Sequence, residues 1–490
     1  MKQKTPSLLL SLVPIFVLIA MMFVSVLFFG SDCLLGASQV SILVAIAVCV
    51  ALSKGICHVP WKQLEAGMRK TLGEASIPIM ILLMIGLLSG TWMVSGIVPT
   101  FIYYGVQIMS PKFFLLSTCL ICGAISLLTG SSWTTIATIG VALIAIGNAL
   151  GISECWTAGA IISGAYFGDK ISPLSDTTIL ASSSAGTELF THIRYMLITT
   201  VPSFLIALIV FGCEGFFNGG TDEIHVAEYT EGLKHTFNIS LWLLIVPVIT
   251  GYMVFRKVPS VIALFVSSVL AAIVAVIAQP ELLSQVSRAY STGGSAVDSM
   301  PVIRGVFVSM FTTTTIETGN ASLNELVSTS GMAGMLDTIW LILCSMSFGG
   351  AMVASGMIGT IAGSIIRCVR NRVGMVAATV SNGLLFNLTA SDQYLSILMT
   401  FSIFRNVFSD NGYEPRLLSR STEDSATVTS VLIPWNSCGM TQSTVLGVPT
   451  MAYLPYCIFN YVSPLMSVAI AAIGFKIYRV TVKSSGENSD

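Results

Sequence analysis

The stretch Gly164-Ala-Tyr-Phe-Gly-Asp-Lys-Ile-Ser-Pro-Leu-Ser-Asp-Thr-Thr178 sets Asp169, Lys170, Asp176, one proline and two glycines directly behind the apolar run 156–167. A continuous lipid-facing helix cannot hold such a segment. Proline removes a donor and glycine loosens the backbone, so carbonyls and amides are freed in mid-segment and must be met by neighbours, water or a bound ion. We read a broken membrane helix near residues 156–178.

Three further interruptions follow the same logic. Thr129-Gly-Ser-Ser-Trp-Thr-Thr135 separates the short apolar runs 113–128 and 136–150, as the tip of a re-entrant helical hairpin near 113–150 would. In the second half, Leu388-Thr-Ala-Ser-Asp-Gln-Tyr394 echoes Leu128-Thr-Gly-Ser-Ser-Trp133 and places a hairpin near 373–404. Ser419-Arg-Ser-Thr-Glu-Asp-Ser-Ala-Thr427 echoes Leu174-Ser-Asp-Thr-Thr178, with a broken helix near 419–446, so that Asp424 pairs with Asp176. Paired interruptions in two halves point to an internal repeat with a substrate site at its interface. The halves are then 1–235 and 236–490.

Composition agrees. Of 490 residues, 54% are hydrophobic and only 10% charged, with a mean hydropathy of +0.84, whereas a soluble chain carries about 25% charged residues. Apolar windows of spanning length recur near 8–30, 37–53, 76–98, 113–129, 136–150, 194–213, 238–254, 259–278, 336–366, 373–389 and 449–475. The fold class is an all-α polytopic membrane protein with two inverted repeats. The first apolar stretch follows Lys2 and Lys4 but lacks a small-residue cleavage site before Asp32, and reads as a retained helix.

Basic residues cluster at Lys54, Lys62, Arg69 and Lys70; at Arg256 and Lys257; at Arg367, Arg370 and Arg372; and at Lys476, Arg479 and Lys483. The positive-inside rule makes these loops cytoplasmic, and with them both termini, in a multi-pass protein of the cell (inner) membrane. Residues 214–231 carry Glu214, Asp222, Glu223, Glu228 and Glu231 without Lys or Arg, which suits the other face. Eleven scattered cysteines, Cys119 and Cys122 included, read as small apolar helix residues.

A sodium ion is small and hard, so carboxylates, hydroxyls, amide oxygens and freed carbonyls suit it. The interruptions supply Asp169, Ser175, Asp176 and Thr177; Ser131, Ser132 and Thr134; Thr389, Ser391 and Asp392; and Asp424 and Asn436. Asp176 is the first choice as sodium ligand and Asp424 its second-half counterpart. A proton and a sodium ion competing for one buried carboxylate suffice for exchange, if the carrier reorients only when that carboxylate is neutralised. Asp169 and Lys170 also fit a charged pair at a helix end, and one of Glu423 and Asp424 a surface ion pair with Arg416 or Arg420. Glu317 reads as a helix-end residue, His192 as an interfacial helix start, and His225 and His235 as residues of the acidic loop.

Gly130-Ser-Ser-Trp-Thr-Thr135, the segment 164–178, Thr191-His-Ile-Arg194, Ser89-Gly-Thr-Trp-Met-Val-Ser-Gly96 and Ile433-Pro-Trp-Asn-Ser437 resemble the NhaC-type sodium/proton antiporters over most of the chain. That resemblance implies inverted repeats, each with a re-entrant hairpin and a broken helix, and a scaffold beside a transport unit. It implies exchange of Na+ for H+, and leaves as the alternative a carboxylate exchanger of the malate/lactate type on the same scaffold. Partners are then Na+, H+ and the bilayer, with a homodimer open and nucleic acid not called for; Na+ is cargo, and no cofactor is needed. An intramembrane hydrolase would need a base at one of the four interruptions, and no histidine lies in any of them. A channel fits the broken-helix repeat poorly.

Overall fold

Backbone groups in lipid must be satisfied within the chain, and helices do this segment by segment. The computed structural model describes residues 4–29, 36–218, 223–256, 258–290, 300–318, 323–324, 327–367, 369 and 371–479. Lys2, Asp32, Asp222, Lys257, Arg370 and Lys483 lie outside the described residues, as do the side chains of Glu223, His225 and Glu228. Among the described residues eight helices are long and apolar enough to cross a membrane, or up to ten if each of two bent pairs is one span. The chain is an integral membrane protein of helices, with large apolar side chains such as Leu9, Phe16, Ile209 and Val248 facing outward.

The order begins with α1 (Leu8–Phe29), α2 (Ala37–Gly55), α3 (Trp61–Glu74) and α4 (Ser76–Val94), followed by α5 (Ile97–Ile108). The first interrupted unit is α6 (Pro111–Thr129), α7 (Ser132–Ala149), α8 (Glu154–Ile171) and α9 (Asp176–Ala185). Next come α10 (Leu189–Asn218), α11 (Glu223–Thr236), α12 (Leu241–Phe255), α13 (Ser260–Ala278), α14 (Pro280–Ala289) and α15 (Pro301–Phe311). After them α16 (Ala333–Ala354) and α17 (Met357–Ile366) lead to the second unit: α18 (Arg372–Thr389), α19 (Gln393–Asp410), α20 (Pro415–Thr422) and α21 (Ser437–Leu446). Short α22 (Thr450–Tyr456) and α23 (Ile458–Ile473) close the chain, bent by 56°.

The expected span at 336–366 is therefore two helices, because Gly356 turns left-handed at φ 76. Gly96 does the same between α4 and α5 at φ 82. The expected spans at 238–254 and 449–475 also depart from straight helices, since α12 meets the end of α11 at 88°.

Both interrupted units use the same devices. Gly130 (φ 69) ends α6 and Ser131 caps α7 by accepting from the Thr134 amide, while Ser391 (φ 60) precedes Asp392, which caps α19. Pro173 stands in the gap before the cap Ser175 and α9; Pro434 stands in the gap before the cap Asn436 and α21. These correspondences correct the register read from the motifs. Ser131 matches Asp392 rather than Ser391, and Asp176 matches Ser437 rather than Asp424, which lies a full half-helix earlier in a π-turn at Glu423–Thr427.

Helix α8 packs on α6 through glycine. A Cβ on Gly168 would stand 2.2 Å from the Gly123 carbonyl oxygen, and one on Gly164 would stand 2.2 Å from that of Cys119. Both contacts are with backbone, so neither can yield without moving a helix. Gly168→Val is expected to push α8 off α6 and cost about 2 kcal/mol or more of stability, read as a lowered unfolding temperature in detergent; an unchanged temperature would show that the interface is loose.

Candidate functional site

Each hairpin tip is tied to its broken helix by a carboxylate. In the first unit the acid is on the broken helix: Asp169 Oδ2 accepts from the Ser132 amide at 3.0 Å and from the Ser132 hydroxyl at 2.7 Å. In the second the acid is on the tip: Asp392 Oδ2 accepts from the Ser437 hydroxyl at 3.0 Å, and its Oδ1 from the Tyr394 and Leu395 amides at 2.9 and 3.0 Å. Both acids are buried, at 7% and 5% exposure. A carboxylate at a helix N-terminus satisfies otherwise orphaned amides, which explains why Asp is tolerated there.

The joints are reinforced by neutral bonds. The Ser437 amide donates to the Ser391 carbonyl at 2.8 Å, the Trp435 indole to Leu388 at 2.8 Å, and Asn436 Nδ2 to the Asn387 carbonyl at 3.2 Å. The Ser172 hydroxyl donates to the Leu127 carbonyl at 2.8 Å.

A second buried centre lies beside the first. Lys170 Nζ, fully buried, is bonded to Asp424 Oδ1 and to the Ser463 hydroxyl at 3.0 Å. The same Asp424 oxygen accepts from the Thr199 hydroxyl at 3.0 Å and the Ser463 hydroxyl at 3.1 Å. Arg420 Nε stands 3.9 Å from Asp424 Oδ2, and its guanidinium lies 4.6 Å from the Tyr195 ring centre. Glu423, also fully buried, has neither carboxylate oxygen hydrogen-bonded, and the three guanidinium nitrogens of Arg420 make no hydrogen bond either.

The residues singled out in the sequence divide accordingly. Asp169, Ser132, Ser175 and Asp176 come together, and Tyr394 sits within electrostatic range of Asp169, Asp176 and Asp392. Thr177 bonds the Ser175 hydroxyl at 3.0 Å, and Thr134 bonds that of Ser131 at 3.0 Å. Thr389 turns its hydroxyl back to the Leu385 carbonyl, while the buried Ser391 hydroxyl has no partner. Asp176, the first choice, is exposed as the opening residue of α9, so it is the least desolvated of these acids.

Asp169 and Lys170 do not form a helix-end pair: one faces Ser132, the other Asp424. Glu423 and Asp424 are not surface residues, because the polar segment 419–427 is enclosed. His192 is buried too, with Nδ1 2.8 Å from the Ser419 hydroxyl. Glu317 stays in a loop, accepting from Asn324 at 2.9 Å. Sequence reasoning missed Thr199, Ser437, Ser463 and Tyr394 as site residues; Ser437 and Tyr394 close two of the motifs, whereas Thr199 and Ser463 lie in ordinary apolar helices.

Among the described residues no three His, Cys, Asp or Glu side chains converge as a metal-binding group. What the site offers is carboxylates interleaved with hydroxyls and carbonyls, a donor set for a hard monovalent cation or a proton. The sequence matches the family described as "Na+/H+ antiporter family" over residues 2–188 and 164–475. It is 35% identical to the Na(+)/H(+) antiporter NhaC of Alkalihalophilus pseudofirmus over 86% of this chain and 87% of the relative. It is 33% identical to the NhaC antiporter of Bacillus subtilis over 84% and 88%. It is also 34% identical to the malate-2H(+)/Na(+)-lactate antiporter of Bacillus subtilis over 82% of each. Buried acids at two helix breaks and likeness across nearly the whole length agree, and the chain belongs to the NhaC-type Na+/H+ antiporter family.

Proposed function

We propose that the protein exchanges Na+ for H+ through competition of the two cations for the carboxylates that join hairpin tips to broken helices. One observation carries this: Asp169 and Asp392 are buried, yet their bonds come from hydroxyls and amides and not from a cationic side chain. A buried carboxylate so placed gains from any cation that reaches it, and an empty, charged one resists movement through the membrane interior. Sodium held at Asp169 with Ser132, or at Asp392 with Ser437, or protons in its place, then allows reorientation; the uncompensated state does not.

Asp424 takes a different role in this reading. Its charge is already met by Lys170, so Na+ there would have to displace an ammonium with no other acceptor but Ser463. We assign the pair to locking α8 onto the second unit. The two halves are inverted with respect to each other, and the basic loops face the cytoplasm with both termini.

The second reading is exchange of an organic acid. Four half-helix N-termini begin at Ser132, Asp176, Gln393 and Ser437, and such ends attract anions. Two of them are already occupied by Asp169 and Asp392, which favours the cation.

The test is proton movement in sealed proteoliposomes, followed with a pH dye on adding Na+, Li+ or K+. Sodium-driven proton movement supports antiport. Silence toward every cation, with uptake of labelled malate or lactate, would replace it with the organic-acid carrier.

A further inference from the structure

A polar cavity of about 650 Å³ opens on the face opposite the basic loops, between α4 and the irregular segments at 313 and 328–330 on one side and the ends of α7 and α21 on the other. Its lining includes Ser89, Asn148, Thr313, Ser330 and Thr444, and Glu154 is the one charged side chain among its lining residues. Glu154 opens α8 and is exposed, with Oε1 accepting from Asn148 Nδ2 at 2.7 Å.

The walls lead inward to the site. Helix α7 runs from Asn148 at the rim back to Ser132, the donor to Asp169. Helix α21 runs from Thr444 back to Ser437, the donor to Asp392, a distance of about 10 Å at 1.5 Å per residue. Two of the helices that wall the cavity, α7 and α21, therefore lead to the two carboxylates.

We infer that this cavity is the vestibule by which the small cation reaches the site from that face, and that Glu154 gathers it there. The inference rests on the cation-exchange reading above. A cavity with one acid, no base and hydroxyls on several sides raises the local concentration of cations and repels organic anions. Its effect is long-range and therefore screened by salt.

The experiment uses wild type, Glu154→Gln and Glu154→Asp in right-side-out and inverted membrane vesicles. Glu154→Gln should raise the half-saturating Na+ about threefold from the vestibule face at low ionic strength, with little change in maximal rate, and the difference should vanish in concentrated choline chloride. Glu154→Asp should keep most of the wild-type value, and Ser330→Cys in a Cys213→Ser background should let an impermeant maleimide block entry from that face. A shift equal on both faces, a shift indifferent to salt, no shift, or full entry after complete labelling would overturn the inference. Absence of sodium-driven proton movement in wild type would instead overturn the reading beneath it.

Discussion

Asp424→Asn is expected to destabilise the whole protein, beyond any effect on transport. The change leaves the Lys170 ammonium fully buried among Ser463, Thr199 and the Phe459 ring, whose centre lies 5.8 Å away. Removing one partner of a buried pair costs about 3–5 kcal/mol. Against a typical stability of about 5–15 kcal/mol this is a large fraction. Unfolding temperature in detergent and recovery from the membrane should both fall sharply. Lys170→Met with Asp424→Leu should regain much of the loss, because an apolar pair asks for no compensation. A single variant as stable as wild type would mean that the pair is hydrated or easily rearranged.

Asp169→Asn should do the opposite: keep the fold and remove exchange. The amide oxygen can still accept from the Ser132 amide and hydroxyl, so the joint between hairpin and broken helix survives. The charge does not. We expect sodium-driven proton flux to fall by about 100-fold or more, judged by the sensitivity of ion sites to loss of a liganding group. Asp392→Asn should behave alike, whereas Asp176→Asn, at an exposed position, should act more mildly. Near-normal flux in Asp169→Asn with a normal unfolding temperature would sink competition at that carboxylate.

What could be read from the sequence was whatever physics writes locally. Proline, glycine and charge inside apolar runs announced both broken helices and both tips, because those residues forbid an ordinary span there. Gly356 carried the same message within 336–366 and was lost among its apolar neighbours. Pairings across the chain are not local. Nothing around Lys170 names Asp424, 254 residues away, as its partner. Nor does the text of the motifs reveal that the acid sits on the broken helix in one unit and on the tip in the other, since similar words hide a one-residue difference in turn length. Arg416 and Arg420 left a surface ion pair open as the alternative for one of Glu423 and Asp424, and the structure encloses both acids.

That long-range ion pair bears on how the protein is made. At about 5–20 residues per second the ribosome needs tens of seconds to deliver Asp424 after Lys170, given their separation of 254 residues. Through that interval the nascent first half holds a cation destined for the interior with its counter-charge not yet synthesised. The insertion machinery must therefore shelter α8 and α9, or leave them at the interface, until the second half arrives. Closing the pair then ties the two halves together, and it is complete only once Ser463, 39 residues beyond Asp424, is also in place.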